Sequence, residues 1–338
     1  MTRIRDPVEA RDEEERDLYE VADWERRSVL DWIAVVLHGT LISGARLFLV
    51  LLAVLILASQ IAFGALVSEA VAVFTLLSVA PALALAAYLW QADVTTNEPL
   101  DLLAATFVLG LLFAGFAGVL NSGTDLALRS VGLTTGIVGF FVQIVVFFVV
   151  VGPVEESVKL LAVRLYAFRS RDFDAVIDGA VYGAVAGLGF ATIENATFIA
   201  GQTQGVSDPL NLVATGGAIT AVRALAGPGH VIYSAFAGYY LGLAKFNPDR
   251  AGPIVVKGLL IAALIHAVYN SLAGIVPAVV ATVSGLPWFV AFFGFVVVYD
   301  GVFGLILLRK LSRYRRAYHE THDDPDEGPV AELTEFET

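Results

Sequence analysis

Apolar runs long enough to cross a membrane fill the chain from Leu47 to Leu308, separated by short polar stretches. Windows of about 20 residues or more give eight predicted spans. These are Leu47–Val67, Val71–Trp90, Leu102–Leu120, Thr134–Phe168, Ile177–Ala200, Leu212–Ala244, Ile254–Ile275 and Pro287–Leu308. The fourth is too long for one straight crossing. Proline and glycine mark expected breaks at Glu98-Pro99, Gly152-Pro153, Asp208-Pro209, Gly227-Pro228-Gly229 and Gly252-Pro253. The runs are continuous and do not alternate residue by residue, which selects helices over a transmembrane barrel. The fold class is therefore all-α: a polytopic integral membrane protein with about eight transmembrane helices.

Cations set the expected direction. Arg26 and Arg27 precede the first span, and Lys159, Arg164, Arg169 and Arg171 close the fourth. Lys245 and Arg250 follow the sixth, and Arg309, Lys310, Arg313, Arg315 and Arg316 follow the eighth. The alternate connections, around Ser68, 121–130, 201–211 and 277–286, hold one Arg among them. Positive charge stays inside, so both termini are expected in the cytosol. Three regions result: an acidic N-terminal segment (1–45), a transmembrane domain (46–316) and an acidic tail (317–338) expected to be disordered. Within residues 6–37, "VADWERRSVLDWIAVVL" carries Trp24 and Trp32 on an amphipathic stretch. It fits an interfacial helix on the inner surface or a plain lead-in to the first span. No internal repeat is visible, which weakens a transporter built from inverted halves.

Composition narrows the class further. Of 338 residues, 57% are hydrophobic and 16% charged, a balance that only a lipid bilayer accommodates. No signal-peptide pattern precedes the first span. The net charge is −12, its acid gathered at the ends: eleven Asp and Glu in residues 1–31 and eight after Tyr318. Arg outnumbers Lys seventeen to four. Such acidity suits a halophilic host, although acidic tails alone have the same composition. It also argues against a nucleic-acid partner. With no Cys, disulfides, thiolate metal sites and a Cys nucleophile are excluded.

Ionisable residues buried in apolar helices mark function, and here they gather in the second half. Glu155 and Lys159 are an i,i+4 pair and Glu156 and Lys159 an i,i+3 pair. Lys159 can neutralise one carboxylate while the other, about 100° round the helix, meets a different neighbour. A structural ion pair needs one Glu; a second can act as a base. The fifth span repeats Gly179, Gly183 and Gly187 at the spacing of close helix packing, then reaches Glu194 and Asn195. The sixth holds Arg223 and His230. The seventh holds His266 and Asn270, one turn apart on one face, placed to donate to a developing oxyanion.

These residues, in this order, resemble a known family. "EESVK" (Glu155–Lys159), "FATIEN" (Phe190–Asn195), His230 and "HAVYN" (His266–Asn270) look like the EExxK, FxxxEN, H and HxxxN motifs of the PrsW family. "DGAVYGAVAGLGF" is similar to its glycine-rich run, so the resemblance covers about residues 150–271. That family contains multi-pass membrane proteins regarded as intramembrane proteases, within the wider group of CAAX-processing endopeptidases. The wider group often carries His at the place of Glu194 and Arg at that of Lys159; this chain follows the PrsW branch.

The resemblance implies an intramembrane endopeptidase that cuts a membrane-anchored protein, such as a single-pass regulator. Gly-x-Ser-x-Gly and HExxH are both absent, which leaves water activated by a carboxylate. The expected roles are Glu155 or Glu156 as base and Glu194 with His230 orienting water. His266 and Asn270 stabilise the intermediate, with Lys159, Asn195 and Arg223 in support. No cofactor is expected on this reading. A zinc version remains open, since two His and up to three Glu can ligate it, but no helix carries a His pair at i,i+3 or i,i+4. The rival from another class is a transporter or sensor using buried Glu and His as a proton relay. Finally, Glu155, Glu194, His230 and His266 lie fourteen, sixteen, fifteen and thirteen residues from Arg169, Asp178, Lys245 and Pro253. That places all four about 20–24 Å from the inner surface, in one layer.

Overall fold

The structure, a computed structural model, describes residues 27–62, 68–93 and 98–322. The acidic tail, most of the N-terminal segment and Trp24 lie outside the described residues. Nine α-helices and no strand occur among the described residues: α1 (Val29–Ala62), α2 (Glu69–Gln91), α3 (Leu100–Ser130), α4 (Gly136–Val146), α5 (Gly152–Leu165), α6 (Val176–Thr203), α7 (Pro209–Lys245), α8 (Ala251–Ser284) and α9 (Trp288–His322). Eight runs are long and apolar enough to cross a membrane, with α4 and α5 forming a single run, Gly136–Arg169.

The chain divides into two units, residues 1–52 and 53–338. In the first, α1 is already helical at Val29 and exposes Trp32, Ile33, Leu37, Leu47 and Leu51.

In the second unit α6 is the axis. Its most apolar window is 83% buried, against 11% for Gly136–Arg169, and it packs on α2, α3, α5 and α7. The expected small-residue stripe explains the closeness. A Cβ on Gly179, Gly183 or Gly187 would overlap the backbone oxygens of Gly238, Ser234 and His230 on α7. The stripe therefore sets the position of His230 against α6. Around this centre Tyr182, Tyr233, Phe113, Phe173 and Ile199 are fully buried. Leu76, Phe141, Val149, Val283 and Val298 point outward, which suits lipid-facing positions.

Two expectations about helix boundaries need correction. The third helix does not stop at Leu120 but runs to Ser130. The apolar window ends there while the helix continues on polar residues, helped by the Asp125–Arg129 pair one turn apart at 2.7 Å. Gly227-Pro228-Gly229 does not break α7, whereas Gly252-Pro253 does lie at a helix boundary, in the first turn of α8. Proline in a membrane helix is tolerated when neighbours and local adjustments absorb its missing donor. Before Pro153 such an adjustment is visible: Phe147–Val151 forms a π-helical turn in which the Gly152 N–H reaches the Phe147 carbonyl. Gly152 itself allows close approach of α8, since a Cβ there would meet the Ala263 oxygen at 2.7 Å.

Candidate active site

Glu155 and Glu156, in the first turn of α5, sit in opposite surroundings. Glu156 is completely buried and fully partnered. Its Oε1 accepts from Lys159 Nζ (2.6 Å) and pairs with His266 Nδ1 (2.9 Å), and its Oε2 accepts from Ser234 Oγ (3.2 Å). Lys159 therefore neutralises Glu156, the i,i+3 member of the expected alternatives. Glu155 Oε1 accepts only from Asn121 Nδ2 (3.0 Å), a residue of the extended α3. Its Oε2 is buried without a hydrogen-bond partner and lies 3.7 Å from His266 Nε2.

Across from this pair, α6 and α7 supply the second half. Glu194 Oε2 meets His230 Nε2 at 2.7 Å and also binds the Arg223 guanidinium. Arg223 Nε donates to Asn195 Oδ1 (2.7 Å), and Asn195 Nδ2 donates to Ser78 Oγ of α2 (2.9 Å). Asn195 is thus a buried brace for Arg223. His230 Nδ1 lies 2.9 Å from Lys159 Nζ. An ammonium only donates, so Nδ1 accepts and Nε2–H is left to donate to Glu194. The rings of His230 and His266 stand edge to face, 5.1 Å apart, with Phe190 against His230. All four helices of the expected shared layer therefore meet.

Two cations, Lys159 and Arg223, face three carboxylates, and the carboxylate left without either is Glu155. Glu155 also borders a cavity of 820 Å³, together with Asn121, Glu194, Arg223, Tyr269 and Asn270. Asn270, one turn beyond His266, joins the site through this cavity wall. The rest of the lining includes Phe147, Val151, Phe190 and Phe292, so the chamber is apolar with polar groups concentrated at one place.

Sequence reasoning missed Asn121, Ser78 and Ser234. The first three spans hold few polar residues, and Asn121 lies one position beyond the end expected for the third. Ser234 had a readable signal, one turn after His230 on the glycine-facing side of α7.

Glu155, His230 and His266 offer one oxygen and two nitrogen donors within 4.8 Å of one another. That set fits zinc in kind, and the unpartnered Glu155 Oε2 fits it in availability. His266 also has its other nitrogen on the Glu156 carboxylate, the arrangement that orients metal-binding imidazoles. The three donors come from α5, α7 and α8, so the missing His pair on one helix carries no weight against a metal.

Residues 98–301 match the family model described as PrsW family intramembrane metalloprotease. The Protease PrsW of Bacillus subtilis (strain 168) is 30% identical over 194 residues, 57% of this chain and 78% of that protein. The Protease PrsW of Halalkalibacterium halodurans is 28% identical over 202 residues, 59% and 83% of the two chains. That of Clostridioides difficile (strain 630) is 34% identical over 134 residues, 39% and 53%. No solved structure matches the chain. The expectation that no cofactor is needed is not supported, since the family is described as metalloproteases and the chain brings a suitable donor set together. Matched by that model over more than half its length, the chain belongs to the PrsW family and is a multi-pass cell-membrane protein and an intramembrane endopeptidase.

Proposed function

We propose that the chain hydrolyses a peptide bond in or beside the membrane segment of a membrane-anchored protein, with Glu155 as the carboxylate at the reacting water. The observation that carries this is the buried, unpartnered Glu155 Oε2 bordering the cavity, beside a fully saturated Glu156. The donor set and the family's description favour zinc held by Glu155, His230 and His266. When bound, zinc supplies a polarising charge and a more acidic water.

The remaining tasks fall to the chain's own groups. Glu194 borders the cavity beside His230, so it takes the proton of the attacking water and returns it to the departing amine. Arg223 holds that carboxylate in place from the cavity side. The Asn270 amide, on the same wall, donates to the scissile carbonyl oxygen. Glu156 fixes the His266 ring, and Lys159 fixes Glu156.

Metal analysis of the purified full-length protein tests this reading. Stoichiometric zinc is expected, lost with activity on exhaustive chelation and regained with both on return of zinc. A zinc-free protein that cleaves at full rate in chelator would overturn the zinc part of this reading and leave water activation to the carboxylates Glu155 and Glu194. We take both termini as cytosolic, from the bias of Arg and Lys between connections.

A further inference from the structure

Far from the catalytic cavity, at the opposite end of α6, three more carboxylates converge. Asp93 follows α2, Glu98 precedes α3 and Asp178 opens α6, each offering an oxygen within 4.8 Å of the others. Glu98 is 2% exposed and Asp178 fully buried. Both have one oxygen spoken for. Asp178 Oδ2 accepts from the backbone N–H groups of Asp174 and Ala175, each at 2.7 Å, and Glu98 Oε2 accepts from the buried Tyr182 hydroxyl. Their other oxygens, Asp178 Oδ1 and Glu98 Oε1, are buried with no hydrogen-bond partner. Lys245, whose charge reaches both, donates instead to the backbone carbonyls of Phe173 (2.6 Å) and Ser170 (3.2 Å).

Buried acceptors facing like charge are unfavourable unless a cation or proton joins them. The geometry says more than the charge does. Three carboxylates from three chain segments fit Ca²⁺, which takes flexible all-oxygen shells rich in carboxylate, better than Mg²⁺, which keeps several waters and takes one or two carboxylates. An all-oxygen donor set also selects a hard ion over zinc.

We propose that Asp93, Glu98 and Asp178 form a second cation site, for Ca²⁺, that ties the α2–α3 connection to the start of α6. It is separate from the protease chemistry: Asp178 and Glu194 are sixteen residues apart on one helix, about 24 Å. The site needs nothing from the cavity residues and stands whether or not zinc occupies them.

Terbium serves as the probe on full-length protein in detergent, freed of metal by chelation. Tyr182, bonded to a ligand carboxylate, sensitises bound Tb³⁺, and Ca²⁺ should quench that emission by displacement. Ca²⁺ should also raise the unfolding temperature by several degrees, saturably. Asp178→Asn and Glu98→Gln should each abolish both effects; two variants are used because Asp178 also caps α6. Tyr182→Phe should keep the Ca²⁺-dependent shift and lose most of the emission. Glu155→Gln should change neither, which separates this site from the catalytic one. Wild-type protein with neither emission nor a Ca²⁺ shift would overturn the proposal, as would a Ca²⁺ shift undiminished in Glu98→Gln. A Glu98→Gln protein more stable than wild type, with wild type indifferent to Ca²⁺, would assign the cluster to a shared proton instead.

Discussion

Replacing Glu156 by Gln strands Lys159, whose side chain has no exposure and whose ion partner is Glu156. Uncompensated buried charge costs on the order of 3–5 kcal/mol, so Glu156→Gln should lower the unfolding temperature sharply and lose activity with it. Glu155→Gln removes the charge of the one carboxylate among the site's three that has neither Lys nor Arg as ion partner, and it keeps the size of the side chain. Its unfolding temperature should stay near wild type while cleavage disappears. Thermal unfolding and a cleavage assay on both variants test the assignment, and a fully active Glu155→Gln would end it. Arg223 allows a subtler test. Its fork reaches Glu194 and Asn195 at once, which a lysine cannot do. Arg223→Lys should fold and reduce kcat/KM by about 10–100-fold, the usual effect of losing an orienting partner. Spacing alone says that Lys159 neutralises one of two carboxylates. Choosing between them needs His266 and Ser234 on two other helices, which no local pattern of α5 contains.

Between α6 and α7 the packing is backbone against backbone. A methyl on Gly183 would overlap the Ser234 carbonyl, and the Ser234 hydroxyl is bonded to Glu156. Gly183→Ala should therefore destabilise by about 1–3 kcal/mol, typical of overpacking, and reduce activity by more than its stability loss explains. Gly201, on the same helix, has open space where its Cβ would be. Gly201→Ala should be neutral or slightly stabilising, since alanine is the better helix former. Unfolding temperatures and specific activities of the two variants make the comparison. The glycine stripe was readable from its four-residue spacing, and the apolar windows gave the eight crossings. The polar end of α3 and the continuity of α7 through Pro228 were not readable, because the local rules for both favour a stop. In each case tertiary neighbours or a surface ion pair carry the helix on.

The chamber beside Glu155 is lined by residues of α3, α5, α6, α7 and α8, together with the turn before α5, Gln60 of α1 and Phe292 of α9. On the proposed orientation, with both termini cytosolic, its polar corner is expected about 20–24 Å from the inner surface, in the middle to outer part of a core about 30 Å thick. Cleavage is therefore expected in or just outside the outer half of a substrate's membrane segment. Mass-spectrometric mapping of the cut ends checks this, and a cut well inside the cytosolic portion would reverse either the orientation or the depth. The shared layer was legible as a count of residues from the ends of four helices, but the chamber was not, since its walls are ordinary apolar residues.

Because the proposed reacting groups come from α5, α6, α7 and α8, a nascent chain is expected to carry no competent site until the segment around His266 has joined the bundle. A hydrolase made among unfolded membrane proteins is harmless for as long as its last ligand is still being synthesised. Prefixes of the chain that stop before α8 should be inert however well they insert, and supplying α8 as a separate segment should be the step that restores cleavage. On this reading assembly itself acts as the zymogen stage of the enzyme.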